Sequence, residues 1–427
     1  MDLICYLRAR NWPAAAGYGL FIGMMAVGYF YNVTFIQLGL VDLGMRGLAM
    51  SRAAVAAHMA VLALVTAVTA LITGWGMQRS GWSTRLERKL QLALAVVVVQ
   101  TGLTAVAPHI PHPTALLGWI LICSLALGVG VPATFSLTTD LIPVRDRGYV
   151  AAAITAVAYF LAAVFAGSWQ IEALSRLLLR LMLPGTAVLA AIVLLAASGR
   201  TFVARWVWEL GQNQREARFS HGRFLRRAGG HPRRRYWGFV ALMFGIFFID
   251  SLGFLRIIDT PILVDGAWQA TALTPRLTIG AAHVAAALVA GVLYTHLNER
   301  HLFFWVFGIF ALTHLTYTFR VWLLPETTSL SLGAPTLYAT AVSLYTVLNF
   351  ALWADFSTPQ TISRNTAVGV ALSGWAATFI STALAIQWQS SGLALETHLR
   401  AVNALAQVFL LLLLGAALWP HPAKERL

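Results

Sequence analysis

Residues 53–76 read AAVAAHMAVLALVTAVTALITGWG, without a single Asp, Glu, Lys or Arg, between Arg52 and Arg79. A helix needs about 20 mostly apolar residues to cross the hydrocarbon of a bilayer, and this stretch supplies them. Segments of the same kind recur near 14–39, 89–108, 114–137, 148–168, 179–198, 237–264, 276–296, 301–323, 333–355, 365–388 and 401–419, which with 53–76 makes twelve. They are rich in Ala, Leu, Gly, Phe and Trp and show no alternating ten-residue pattern. Helices rather than a barrel must therefore satisfy the backbone inside the membrane. Composition agrees: 59% of the 427 residues are apolar and 11% are charged, about half the charged share of a soluble domain. The fold class expected is an all-α membrane protein of about twelve transmembrane helices.

The basic residues give the orientation. With both termini inside, 22 of the 30 Lys and Arg fall on the cytoplasmic side: Arg8, Arg10, Arg79, Arg85, Arg88, Lys89, Arg145, Arg147, ten between Arg200 and Arg235, Arg300, Arg364, Lys424 and Arg426. Positive loops are retained on that side during insertion, so the expected location is a bacterial plasma (inner) membrane with both termini cytoplasmic. Met1 to Arg10 is short and basic and leads into the first apolar stretch without a small-x-small cleavage site. Residues 14–39 are accordingly expected to remain as the first helix. The chain divides into a bundle over 1–199, a basic cytoplasmic linker over 200–236 and a second bundle over 237–427. The linker places Trp206 and Trp208 beside its arginines, a pattern suited to anionic lipid headgroups. A basic patch with no base-reading element does not suggest nucleic acid.

Landmarks recur at an offset of 217 residues: Gly28 with Gly245, Asp42 with Asp259, Gly74 with Gly291, Arg147 with Arg364. Duplicated halves around a central site are a transporter architecture. The fourth span ends in Asp140-Leu-Ile-Pro143-Val-Arg145-Asp146-Arg147, and the tenth in Asp355-Phe-Ser-Thr-Pro359 with Arg364 following. In each, a proline breaks the helix and an acid and a base flank the turn, which suggests a cytoplasmic latch.

On these features the chain resembles the major facilitator superfamily. The loop between helices 2 and 3 of that family runs Gly-x-x-x-Asp-Arg-x-Gly-Arg-Arg. Here it stands as Gly74-Trp-Gly-Met-Gln78-Arg79-Ser-Gly81, with Arg85, Arg88 and Lys89 beyond, and Gln78 replaces the acid. The second half carries Gly291-Val-Leu-Tyr-Thr-His296-Leu-Asn-Glu299-Arg300 at the matching place. The resemblance implies two pseudosymmetric six-helix bundles, with helices 1, 4, 7 and 10 around a cavity that opens alternately to either side. It also makes Gly74, Arg79, Gly81, Asp140, Arg145, Arg147, Asp355 and Arg364 the latch candidates.

Ionisable groups inside a membrane are costly and mark function. Asp250 lies about 20 Å along the seventh helix at 1.5 Å per residue, and it is the candidate for ion coupling. A carboxylate taken out of water favours its neutral form, as a proton carrier requires. Arg256 and Asp259, three residues apart, are expected to pair locally. Asp250 points about 120° away from Arg256, so its partner must come from another helix. Helical spacing groups Tyr18, Tyr29 and Asn32 on helix 1, and Tyr338, Tyr345, Asn349 and Trp353 on helix 10. These are the cavity-lining candidates, suited to a partly aromatic or amphipathic small molecule. His58, His283 and His314 are scattered and read as packing or pore lining, not metal ligands.

No Walker loop, zinc-spaced Cys/His set or nucleophile elbow appears, so ATP-driven pumping and enzymatic hydrolysis are not indicated, and no cofactor is expected. Cys5 and Cys123 lie too far apart in topology for a disulfide framework. Ser124 precedes Gly128 where drug–proton antiporters of the superfamily carry Arg. Their Gly-Pro-rich helix 5 is replaced by Val150 to Tyr159 without either residue, and sugar-porter signatures are missing. The expected function is a secondary active transporter of a small solute by alternating access, with a proton as the candidate coupling ion. A second reading comes from 32–39 (NVTFIQLG) and 274–278 (TPRLT), which are similar to segments of the PucC family, linked to light-harvesting assembly and bacteriochlorophyll delivery. It implies a transporter-like scaffold with a pigment-binding membrane complex as partner.

Overall fold

The computed structural model describes residues 2–166, 168–225, 232–258, 260–265, 267–296, 299–323 and 332–418. Twelve helices are long and apolar enough to cross a membrane: α1 (Trp12–Gly47), α2 (Arg52–Arg79), α3 (Leu86–His109), α4 (Pro113–Leu141), α5 (Val144–Phe165), α6 (Ile171–Ala197), α7 (Arg233–Ile258), α8 (Leu273–His296), α9 (His301–Trp322), α10 (Gly333–Asp355), α11 (Ile362–Ser390) and α12 (Leu395–Gly415). Each coincides with one apolar segment of the sequence. Two differ in length. α1 runs on to Gly47, because wide π-helical turns at Asn32–Gly39 and Leu43–Gly47 continue it past the apolar stretch. α7 stops at Ile258, and a separate short helix, Pro261–Val264, takes up the rest of that segment. Among the described residues there is no strand.

The helices form two six-helix bundles whose internal packing repeats. α1 lies on α5, α2 on α4, α3 on α4 and α6; six helices later α7 lies on α11, α8 on α10, α9 on α10 and α12. The halves meet where α2 crosses α11 and α5 crosses α8. Small residues set both crossings, as they do between helices in lipid, where close backbone approach replaces the hydrophobic drive. A Cβ on Gly74 would lie 2.5 Å from that of Ala367 and 2.7 Å from the Ser363 carbonyl oxygen, and one on Gly291 would lie 2.6 Å from that of Ala152 and 2.9 Å from the Gly148 oxygen. Leu194, Ile72, Leu411 and Leu412 are well exposed, as surfaces facing lipid chains must be. α10 is buried almost all round.

The paired contacts correct the register of the repeat. Gly74 and Gly291 are 217 residues apart, but their partners Gly148 and Ser363, like Ala152 and Ala367, are 215 apart. Arg147 therefore corresponds to Ile362 and not to Arg364. Arg364 is exposed and donates through Nη2 to its neighbour Asn365 Oδ1 at 3.3 Å.

Gly291→Ala is expected to cost about 1–3 kcal/mol by overpacking, more than the gain of about 1 kcal/mol from helix propensity. Thermal unfolding in detergent reads the loss, and Ala152→Gly in the same chain should return most of it.

The central segment is structured over Phe202–Gln212, an amphipathic helix that buries Trp206, Val207 and Leu210. Trp206 Nε1 donates to Pro13 O at 2.8 Å, and Gln214 Nε2 to Thr84 O at 2.6 Å. Residues 217–225 then cross to the second half, where Gly222 N donates to Ser357 O at 3.3 Å and Phe224 N to Asp355 O at 3.0 Å. This segment, the N-terminal helix Asp2–Arg8 and the turns after α2, α4 and α10 share one end of the molecule, the basic end. Asp259, Lys424 and Arg426 lie outside the described residues.

Candidate functional site

A cavity of about 250 Å³ lies between the bundles. Its walls come from the middle and later part of α1, from α3, α4 and α5, and from α7, α8, α10 and α11. Both π-helical stretches that reach it, Asn32–Gly39 and Ala371–Ala376, contribute side chains, Asn32, Gln37 and Trp375 among them. Such turns are frequent at functional sites because the extra residue re-aims the helix face.

Asp250 of α7 lies on this wall, partly exposed. Tyr345 Oη donates to its Oδ2 at 2.7 Å and Tyr338 Oη to its Oδ1. The partner demanded from another helix is thus a pair of phenols on α10, seven residues and two turns apart. Opposite, the hydroxyls of Tyr29 (α1) and Tyr159 (α5) share a hydrogen bond of 2.8 Å, and each approaches Thr346 Oγ1 of α10, at 3.3 and 3.2 Å. His283 of α8 stacks on Tyr159 with ring centroids 4.5 Å apart and pairs through Nδ1 with Ser343 Oγ at 2.8 Å.

Of the cavity candidates, Tyr29, Asn32, Tyr338, Tyr345 and Asn349 lie on the wall, whereas Tyr18 and Trp353 do not. Tyr18 is three turns nearer the basic end and donates to Asp146 Oδ2 at 2.9 Å, on the carboxylate that also accepts Asp2 N and Leu3 N at 3.1 Å. Trp353 is fully buried against Gly369 and donates to Asn349 Oδ1 at 3.0 Å. A hydrogen bond to a charged group contributes about 1.5–3 kcal/mol. Tyr18→Phe should lower stability by that order in thermal unfolding and leave solute affinity unchanged.

Buried contacts close the basic end below the cavity. Arg147 Nη1 donates to Asp355 Oδ1 at 2.8 Å and to Ala354 O at 2.9 Å, and Nη2 donates to Phe219 O at 2.7 Å. Tyr294 Oη donates to the other oxygen of Asp355 at 2.7 Å. One guanidinium therefore joins α5, α10 and the central segment. On the α2–α11 side Ser83 Oγ bonds Ser363 Oγ, and Ser363 Oγ also donates to Gly74 O at 3.1 Å.

The other latch candidates behave differently. Asp140 pairs within its own half: Lys89 Nζ donates to its Oδ2 at 2.6 Å and to Ser136 O at 3.0 Å, both side chains fully buried. Arg79 is exposed and lies over the Trp75 ring at 4.5 Å, and Arg145 is exposed. Gly81 turns the chain at φ 70°, a left-handed conformation that favours glycine. Asp140 and Asp355 are 215 residues apart and pseudosymmetric, yet only the second reaches across the halves. Asp355 takes its cation from α5 of the other half, whereas Asp140 takes Lys89 from its own.

Reading residues singly missed Lys89 and Tyr159, while His283, expected to pack or line the pore, lies on the cavity wall. Lys89 carried a signal, since Lys89 and Lys424 are the only lysines among 30 basic residues, and the compact ammonium suits a buried point contact that a guanidinium would overfill. Tyr159 had none, because only the α5–α8 crossing brings it to His283. His314 is buried with neither ring nitrogen hydrogen-bonded, its ring packed under Gly253, and His58 Nδ1 meets Ala54 O at 2.7 Å. Among the described residues no cluster of His, Cys, Asp and Glu could hold a metal ion.

Most of the chain matches solved structures at this level of geometry. The proton:xylose symporter XylE bound to 6-bromo-6-deoxy-D-glucose superposes with a TM-score of 0.59 at 12% identity, over 96% of each chain. The human organic anion transporter MFSD10 (TETRAN) superposes with a TM-score of 0.60 at 15% identity, over 92% of this chain and 97% of that one. This is the major facilitator fold. The chain is an integral, multi-pass membrane protein of that fold, and its two bundles, inter-bundle cavity and α2–α11 and α5–α8 crossings are features of the fold as it stands here. By sequence alone, no family profile and no curated protein matches.

Proposed function

We propose that this protein is a secondary active transporter that moves a small solute by alternating exposure of the cavity between its bundles, with Asp250 as the coupling group. The observation that carries this reading is one carboxylate on the wall of an inter-bundle cavity whose basic end is shut by Arg147, Asp355 and the two glycine crossings. Such contacts involve few residues and straddle the seam, so a rigid rocking of the halves can exchange them for contacts at the other end. Asp250 must change charge during that cycle; Tyr338 and Tyr345 from α10 bond it, and the other titratable groups on the described wall are Tyr29 from α1, Tyr159 from α5 and His283 from α8.

The test is uptake by proteoliposomes of a broad panel of small solutes, with and without a pH gradient. Solute accumulation that follows the imposed gradient supports the reading. Liposomes that neither accumulate nor exchange any solute, while the protein in them remains folded, overturn it in favour of a scaffold role.

Both termini and the basic end face the cytoplasm in this reading, on the charge bias of the loops. A reporter fused after Arg235 should report a cytoplasmic location and one fused near Pro111 an external one. The reverse pattern would invert the orientation.

A further inference from the structure

We infer that the cavity is built for a monovalent organic cation, its charge set against the Asp250 carboxylate and its body among the rings around it. The inference rests on the transport reading of the same cavity and adds the class of solute. Among the described lining residues Asp250 is the only acid, and there is no Lys or Arg. No described ion pair includes Asp250; its described partners are the Tyr338 and Tyr345 hydroxyls. Each carboxylate oxygen offers two acceptor directions, so one on each remains, on a side chain that is partly exposed at the cavity wall. Asn32 Oδ1, on the same wall, is an acceptor without a hydrogen-bond partner.

The aromatic residues complete the selection. Phe247 meets Tyr345 edge-on at 5.0 Å, Phe254 stacks on Tyr338 at 5.7 Å, and Trp268 meets Tyr338 edge-on at 5.9 Å. All line the cavity, and ring faces attract a cation within about 6 Å. An anion would meet the carboxylate with no Lys or Arg among the described lining residues to offset it. A polyol would leave most of its hydroxyls against rings, unpaired and desolvated. A dication would find one countercharge for two. A single positive charge on an aromatic or aliphatic body matches the donors, the acceptors and the apolar area together.

Phenyltrimethylammonium is a suitable probe, being permanently charged and aromatic, with benzenesulfonate as its partner of opposite charge. Titration calorimetry on the full-length protein in detergent should give saturable binding of the first and none of the second. Asp250→Asn should weaken phenyltrimethylammonium binding at least about tenfold. Phe254→Leu, which keeps apolar volume and removes a ring face, should weaken it about three- to tenfold. Tighter binding of benzenesulfonate by the unaltered protein overturns the inference without reliance on any variant, and so does unchanged affinity in both variants.

The two proposals fail separately. Charge-selective binding that depends on Asp250, with no uptake in liposomes, sinks transport and keeps the cation site. Uptake of a neutral or anionic solute that depends on Asp250 sinks the cation site and keeps transport.

Discussion

Asp250→Asn protein is expected to fold, to exchange solute down its own gradient at saturating concentration, and to lose all accumulation driven by a pH gradient. The substitution conserves shape and removes the charge change. An amide keeps one acceptor for a phenol and presents an N–H₂ to the other, so one of Tyr338 and Tyr345 has only to turn its hydroxyl from donating to accepting. For a one-proton coupling each pH unit across the membrane is worth about tenfold in solute concentration, because about 1.4 kcal/mol is a factor of ten. That factor should fall to one in the variant. His283, the other titratable group on the wall apart from the tyrosines, serves as the control: His283→Gln should retain the gradient response. Thermal stability measured beside transport separates the roles, since a purely structural Asp250 would lower the unfolding temperature and leave the pH response intact. Undiminished accumulation in Asp250→Asn would remove the coupling role.

Arg147→Met should destabilise the protein by about 3–5 kcal/mol, the range for breaking one side of a buried ion pair. Asp355 would be left in the interior with Tyr294 as its side-chain donor, while Ala354 O and Phe219 O lose their donor. Because the guanidinium joins α5 to α10 across the seam, part of the cost can be relieved by opening the basic end. The variant should therefore react faster at that end. With exposed Cys5 changed to Ser and Cys123 left buried, a single Ser363→Cys reports on the seam, and its alkylation should speed up roughly tenfold. Arg147→Met with Asp355→Leu should regain most of the stability, since an apolar pair of similar volume replaces a buried ion pair at little cost. Equal stability and equal alkylation in Arg147→Met and the unaltered protein would show that the pair neither stabilises nor closes the basic end.

Much of this site was legible from composition and spacing. Asp250 stands out because a carboxylate amid Phe, Ile and Leu is costly in a membrane, and the helix 10 stripe of Tyr338 and Tyr345 supplies its partners at two turns' separation. The same spacing grouped Tyr18 with Tyr29 and Trp353 with Tyr345, although neither Tyr18 nor Trp353 lies on the wall. Angular position on a helix says which face a residue shares, but not how far along the axis the neighbouring helices part to leave a space. The latch was legible as acids and bases at helix ends, not as pairs. Asp140 and Asp355 look alike in sequence, and the choice of Lys89 for one and Arg147 for the other depends on which helix end carries a cation within reach.

The sequence by itself determined twelve membrane helices, because crossing a bilayer is a local demand: each segment must be long and apolar enough on its own, whatever its neighbours do. It also carried the expectation of duplicated halves, through Gly74 and Gly291 at one offset, whereas the crossings at which a Cβ on either glycine would meet the neighbouring helix are read from the structure. Only the tertiary structure decided the two-residue correction to the repeat, the meeting of Tyr29, Tyr159 and Thr346 from three helices, and the single guanidinium that ties the halves at the basic end. Those are contacts between residues far apart in the chain. Their geometry follows from how rigid helices stack, a property that no one segment carries.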